Sequence, residues 1–340
     1  MAPQTATTLR HPPPPLERGA PPLPTVRLPT VALLPTVFLA RELSPQLVQA
    51  QVTSGAWTRV RRGAYVATAS LLPDAAPQTR ELARIAAVAR QLSPAVTFTH
   101  ESAALIWGLP LWRSPDRVHV HHPSLRSGHA SQDVSRSSGV LDASDVVVRS
   151  GLRVTSLERT VVDCARSSSA VSGLVVADAA LRRGVDPDSL RARLQDLGPA
   201  RGVRIARAVI DLADGGAESP WESATRLVLV GAGLPRPSTQ VRVVTRLGAF
   251  RTDLGWEDWK VAVEFDGLVK YTTLAAGDPG RVIFEEKRRH DAIVEAGWRV
   301  VRATREDVQP SNSLRERVQR LLPVGAQCPL RPAPHLLQGF

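Results

Sequence analysis

Phe250-Arg251-Thr252-Asp253-Leu254-Gly255-Trp256-Glu257-Asp258-Trp259-Lys260-Val261-Ala262-Val263-Glu264-Phe265-Asp266-Gly267 reads as two short strands around a turn. Strand side chains alternate between faces, so a symmetric loop centred on Asp258-Trp259 sets Asp253 opposite Glu264. One face then carries Thr252, Leu254 and Trp256 against Val261, Val263 and Phe265, which is a core face. The other carries Asp253 and Gly255 against Ala262 and Glu264, with Arg251 facing Asp266. Carboxylates opposed across a ladder repel. With Cβ atoms roughly 4.5–5.5 Å apart, both can ligate one cation. Hard oxygen donors suit Mg²⁺ (or Mn²⁺), which takes one or two carboxylates with water and substrate phosphate. On these residues alone, a solvated polar face on an edge hairpin is the competing reading.

The chain is long enough, at 340 residues with 43% hydrophobic content, for two or three domains with buried cores. A formal net charge of +11 and a pI near 11.0 point to a polyanionic partner, nucleic acid first. Cys164 and Cys328 lie far apart, which excludes a disulfide framework and cysteine-ligated zinc and fits a reducing, cytoplasmic setting. No apolar run reaches membrane-span length, so no membrane association is expected. Of the 43 Lys and Arg, only Lys260, Lys270 and Lys287 are lysine, and all three fall in or just after the acidic hairpin. Lysine is a compact point charge whose pKa can be tuned.

Residues 1–36 are expected to be a disordered, proline-rich leader. In 37–78, Ser44-Pro45 starts a helix, with Ser as N-cap and Pro in the first turn. Ala56 to Val66 then reads as a β-ribbon with Arg59, Arg61 and Arg62 near its tip. A short helix before a basic ribbon is the order of a winged helix-turn-helix, where helix and wing meet DNA. Residues 79–213 read as a mixed α/β region followed by a helical connector. Within it, Val118–His122 is an alternating strand, 126–144 a flexible Ser/Gly/Asp loop, and Thr155-Ser156-Leu157-Glu158 a capping box. His100, Glu101 and Ser102 are consecutive and cannot face one another as a triad, so they read as capping and packing residues.

The phrases Gly55-Ala56-Trp57-Thr58-Arg59-Val60-Arg61-Arg62-Gly63-Ala64-Tyr65, His100-Glu101-Ser102-Ala103-Ala104 to Gly108-Leu109-Pro110, and Ser156-Leu157-Glu158-Arg159-Thr160-Val161-Val162-Asp163 resemble abortive-infection (AbiEi-type) antitoxin-like proteins. The resemblance spans most of 40–215. It implies DNA binding through the winged unit and a cognate toxin, or a second copy of the chain, as partner.

Asp211 to Ala217 reads as a linker to a module over 218–322, ahead of a disordered tail over 323–340. Ser219-Pro220-Trp221-Glu222 opens a helix with Glu222 as the acidic half of a capping box. The order that follows is α-β-β-β-α-β. With Glu222, Asp253, Glu264 to Gly267, the basic run Glu286 to Asp291 and Gly297 to Arg302, this module resembles very-short-patch-repair-like endonucleases of the PD-(D/E)XK superfamily. The fold class expected is thus α/β, in the sense of a multidomain α+β chain ending in a restriction-endonuclease-like domain. The resemblance implies Asp253 and Glu264 as metal ligands, with Glu222 or Asp266 completing the shell. The superfamily's lysine two residues after the glutamate is here Asp266, so Lys270 or Lys287 is the candidate for that charge. Arg288 and Arg289 would grip phosphate. The expected activity is Mg²⁺-dependent DNA hydrolysis in a defence or toxin–antitoxin context. A catalytically silent DNA-binding regulator or antitoxin is the alternative.

Overall fold

The computed structural model describes residues 34–71, 78–92, 95–122, 131–137, 140–266, 279–309, 312–324 and 333–340. Most of the expected leader and Lys270 lie outside the described residues. The chain is a mixed α/β protein built around three sheets.

The first sheet joins β1 (Phe38–Leu39), β2 (Trp57–Arg61) and β3 (Ala64–Ala67) in the order β1-β3-β2. Helix α1 (Pro45–Thr53) starts where the Ser44 hydroxyl accepts from the Leu47 amide at 3.3 Å and stops before Gly55, at φ +74°. No residue of α1 is buried. The sheet instead packs Leu39, Ala64 and Val66 on Ala83, Ala86 and Ala87 of α2 (Thr79–Gln91).

The second sheet holds β4 (Thr97–Phe98), β5 (Val118–His121), β6 (Val134–Ser137), β7 (Val146–Arg149) and β8 (Leu152–Thr155) in the order β6-β5-β4-β8-β7. Strand β6 corrects the reading of 126–144 as a loop: its parallel pairing with β5, from Val118↔Val134 onward, comes from residues sixteen apart and leaves no local signature. Helix α3 (His100–Ile106) lies against α4 (Leu157–Ser167), which is capped by Ser156 rather than by the expected Thr155. Thr155 turns its hydroxyl to Thr160 at 2.7 Å instead. Helices α5 (Ala170–Leu181), α6 (Pro187–Asp196) and α7 (Val203–Leu212) complete the connector.

The third sheet has the order β12-β11-β10-β9, from β9 (Ser238–Thr245), β10 (Gly248–Trp256), β11 (Val261–Phe265) and β12 (Arg299–Ala303). Only the β11–β12 pair in it is parallel. Helix α8 (Pro220–Gly231) covers one face, with Leu227 and Val228 against Leu254, Val261 and Val263. Helix α9 (Pro279–Glu295) covers the other, with Ile293 beside Val241, Val243, Ala262 and Trp298. Two short helices, α10 (Arg305–Val308) and α11 (Asn312–Gln319), follow.

The segment expected as a linker is packed, and connector and C-terminal module share one hydrophobic core running from Ala104 to Leu336. Gly216 touches Thr239 so closely that a Cβ would lie 2.0 Å from its Oγ1. Arg226 of α8 is fully buried and pairs with Asp178 of α5, while its Nη1 donates to the Leu212 carbonyl at 2.9 Å. Part of the expected tail is also docked: Leu336 is buried, the Ala333 amide donates to the Gly231 carbonyl at 2.9 Å, and Phe340 meets Trp112 edge-on.

Candidate active site and nucleic-acid interface

The hairpin folds in the register its hydrophobic pattern demands. Leu254↔Val263, Gly255↔Ala262 and Trp256↔Val261 pair across a turn of Glu257–Trp259, closed by Lys260 at φ +48°. The face assignment changes further from the turn. Leu254 enters the core under α8, whereas Phe250, an even number of residues earlier, packs with Val241 and Val243 under α9. The strand therefore turns over between them. Asp253 sits in that interval, where its Oδ2 accepts from the Phe265 amide at 2.8 Å just beyond the last β10–β11 pair.

On the other side of Asp253 the β9–β10 register passes from Thr252↔Val241 to Leu254↔Thr239, which leaves Gln240 opposite Asp253. Gln240 has φ +51°, a left-handed backbone inside a strand, costly for a residue with a side chain. Its Nε2 donates to Glu222 Oε2 at 3.4 Å. Sequence reasoning missed Gln240, because nothing in its neighbours signals a left-handed residue.

Glu222 reaches the same place from α8. The Ser219 hydroxyl accepts from the Glu222 amide at 3.2 Å, and the Glu222 carboxylate turns back to accept from the Glu218 amide at 2.8 Å. Only 8% of Glu222 is exposed. Burial, and next the charge of Asp253, raise its carboxyl above the ordinary value, with the bonds from Glu218 and Ser219 offsetting part of this. A raised carboxyl beside a second acid is a common feature of functional sites.

Glu264 does not face Asp253 freely. Its Oε1 accepts from Arg289 Nη2 at 2.6 Å, and the same nitrogen donates to the Arg251 carbonyl at 2.7 Å. Arg251 pairs with Arg242 and not with Asp266. Asp266 lies 3.7 Å from Arg302 Nη1, and Glu286 lies 3.1 Å from Arg302 Nη2. Lys287 and Arg288 are exposed on α9. Lys260 spends its ammonium on the Ala296 carbonyl, 3.2 Å away at the end of α9.

The donor chemistry suits a hard divalent cation: Glu222 and Asp253 are two adjacent carboxylates, and Mg²⁺ commonly takes no more than two from protein. Among the described residues, however, no group of three or more His, Cys, Asp or Glu side chains is gathered to hold a metal ion. Glu264 is instead engaged by Arg289. The half-shell fits; Glu264 joins it only by releasing that guanidinium.

In the segment expected to form a winged unit, Arg59 and Arg62 are exposed. Arg61 is not available to DNA in the same way. Its Nε donates to Asp133 Oδ2 at 2.6 Å and its Nη1 to Gln91 Oε1, leaving 12% of the side chain exposed. Burial raises the Asp133 carboxyl, but the bonds from Arg61 and Ser131 outweigh it and hold the group below its ordinary value. Sequence could not reveal this, since Asp133 lies just ahead of β6, in a distant part of the chain. No helix among the described residues is long and apolar enough to cross a membrane.

Comparison with known proteins places the middle of the chain. Two curated relatives, the uncharacterized proteins MT2308 of Mycobacterium tuberculosis (strain CDC 1551 / Oshkosh) and Rv2248 of M. tuberculosis (strain ATCC 25618 / H37Rv), are each 27% identical over 279 residues, covering 78% of this chain and 92% of their own. The crystal structure of the RV2827C protein from M. tuberculosis aligns at a TM-score of 0.34 with 19% identity, over 52% of this chain and 72% of that one, a likeness too slight to argue from. A family model described as the AbiEi antitoxin C-terminal domain matches residues 94–212, so this region, which carries the His100–Pro110 and Ser156–Asp163 phrases, is similar to that antitoxin domain.

Proposed function

We propose that this protein is a DNA-acting member of an abortive-infection or toxin–antitoxin system whose C-terminal module is a Mg²⁺- or Mn²⁺-dependent endodeoxyribonuclease. The observation that carries the reading is Glu222, buried on α8 and near enough to Asp253 that this charge, after burial, raises its carboxyl. The α-β-β-β-α-β order around these acids supports it. Asp253 and Glu222 would hold the cation, with Glu264 and Asp266 as the remaining candidates. The cation would supply an activated water and neutralise charge on the phosphate. Lys287 or Lys270 would orient that water, and Arg288 and Arg289 would hold the phosphodiester backbone. Arg59 and Arg62 would meet duplex phosphate from the wing. A cognate toxin, or a second copy of the chain, is the protein partner this context calls for.

Arg289 on Glu264 favours a second reading, a catalytically silent DNA-binding regulator or antitoxin. Plasmid nicking with Mg²⁺ separates the two. The nuclease reading expects nicking by the wild type that disappears in Asp253→Ala; equal nicking by both proteins sinks it. Specific binding to the protein's own promoter without cleavage establishes the regulator.

A further inference from the structure

Arg305 is the first residue of α10, two positions beyond Ala303, the β12 residue that pairs with Phe265 of β11. The two strands are parallel, so both end at the same edge of the sheet, and there the Asp266 amide donates to the Ala303 carbonyl at 2.8 Å. Phe265 is also the residue whose amide donates to Asp253 Oδ2. Arg305 thus leaves the sheet at the strand end that carries the candidate carboxylates.

Its guanidinium stands over the Trp221 ring, 5.0 Å from the centroid. Trp221 is the residue before Glu222 on α8, and its ring stacks on Phe265 with centroids 5.0 Å apart and planes 8° apart. Trp112 meets the same ring edge-on at 4.6 Å. The ring under Arg305 is therefore fixed by two neighbours, and a planar guanidinium resting on it is attracted to the ring and pre-organised for a ligand. Arg305 remains exposed. The adjacent Glu306 accepts from the Thr304 hydroxyl at 2.8 Å, and no ion pair holds Arg305 among the described residues. The cations around it are committed. Arg302 lies 3.1 Å from Glu286 and 3.7 Å from Asp266, Arg289 meets Glu264, and Lys260 donates to the Ala296 carbonyl. An exposed guanidinium held in place by an aromatic ring, and not by an acid, keeps its charge for an anion.

We infer that Arg305 binds the phosphodiester backbone of DNA on the α8 side of the carboxylates, across from Arg288 and Arg289 on α9. The inference rests on the DNA-cleaving reading of Glu222 and Asp253 and adds to it the path of the bound strand. Helices α8 and α9 cover opposite faces of the sheet, so a backbone gripped from both sides crosses the end of β11 and β12. The guanidinium fork matches phosphate oxygens. Arg305 holds the strand before and during the reaction alike, so it serves binding and not the chemical step.

Fluorescence anisotropy of the full chain with a short labelled duplex, without divalent metal, tests this over a range of salt concentrations. Arg305→Ala should bind about tenfold more weakly at low salt, as for the loss of one charge-assisted hydrogen bond. Its plot of log affinity against log salt should be shallower by about one, with the thermal midpoint unchanged. Arg305→Lys keeps the charge and should keep the slope. Arg320→Ala removes another exposed arginine, just beyond α11, and should bind as the wild type does. In plasmid nicking with Mg²⁺, Arg305→Ala should raise KM and leave kcat in place. A wild-type slope in Arg305→Ala, an equal loss in Arg320→Ala, or a loss confined to kcat overturns the contact. The two failures are separate: nicking by Asp253→Ala decides the nuclease reading, and the metal-free salt slope of Arg305→Ala decides this contact.

Discussion

Replacing Arg226 by methionine should be strongly destabilising, at a site away from the carboxylate cluster. Arg226 is 0% exposed and its Nη2 meets Asp178, itself 1% exposed. Asp178 also accepts from the Asp214 amide at 2.8 Å. Removing one partner of a buried pair costs about 3–5 kcal/mol, mostly because the other charge is left uncompensated. In Arg226→Met/Asp178→Asn no orphan charge remains, and Asn can still accept from Asp214, so the deficit should shrink to about 1 kcal/mol. The pH dependence gives an independent check. Burial raises the Asp178 carboxyl even with Arg226 present. As pH rises past the ordinary carboxylate range, the unfolded chain gives up this proton first, so stability falls with pH. Without Arg226 the shift is larger, so the Arg226→Met deficit should grow between pH 4 and pH 8, and the double variant should lose that dependence. Urea unfolding at several pH values measures all of this. A single-variant cost below about 1 kcal/mol, or a double variant no better than the single, refutes the reasoning.

Other perturbations probe separate contacts. Gly216→Ala places a Cβ against Thr239 at a distance no side chain tolerates; a loss of about 2 kcal/mol is expected from the overpacking, read as a lower thermal midpoint. Glu222→Gln should stabilise the metal-free protein at pH 8 and not at pH 4, because a carboxyl raised by burial and by Asp253 loses stability as pH climbs above its ordinary value. The gain should come with loss of any Mg²⁺-induced rise in midpoint; a midpoint that Mg²⁺ raises equally in wild type and variant counts against Glu222 as a ligand. Arg61→Ala should lower stability by about 1–2 kcal/mol, since it strips Asp133 and Gln91 of a donor. Arg59→Ala should leave the thermal midpoint unchanged and reduce the salt slope of duplex binding by about one. A reversed pattern for these two arginines would show that Arg61, not Arg59, contacts DNA.

The local pattern carried most of the elements. The alternation across Phe250 to Phe265 dictated the hairpin register, because a slip of one residue would expose Leu254 and Val263 together. Ser44 and Ser219 each announced a helix start, because a short side-chain oxygen can accept from the next turn's amides. The basic run on α9 was also legible, whereas the sequence set Asp253 against Glu264, and the charge of Asp253 acting on Glu222 came only with the structure.

Tertiary structure decided what those residues are doing. Arg289 meets Glu264 because α9 packs on the sheet, a contact made over 25 positions of sequence. Arg61 is held by Asp133, 72 residues away and next to β6 of another sheet. The left-handed turn at Gln240 and the reversal of β10 answer to two helices packed on opposite faces of one sheet. Sequence by itself determined most of the strands and helices, β6 excepted, and how the hairpin pairs, since those depend on neighbours within a turn or across one loop. Which arginines stay free, which carboxylates meet, and how firmly the C-terminal module joins the connector depended on contacts between distant segments, where a single charge can choose among several partners.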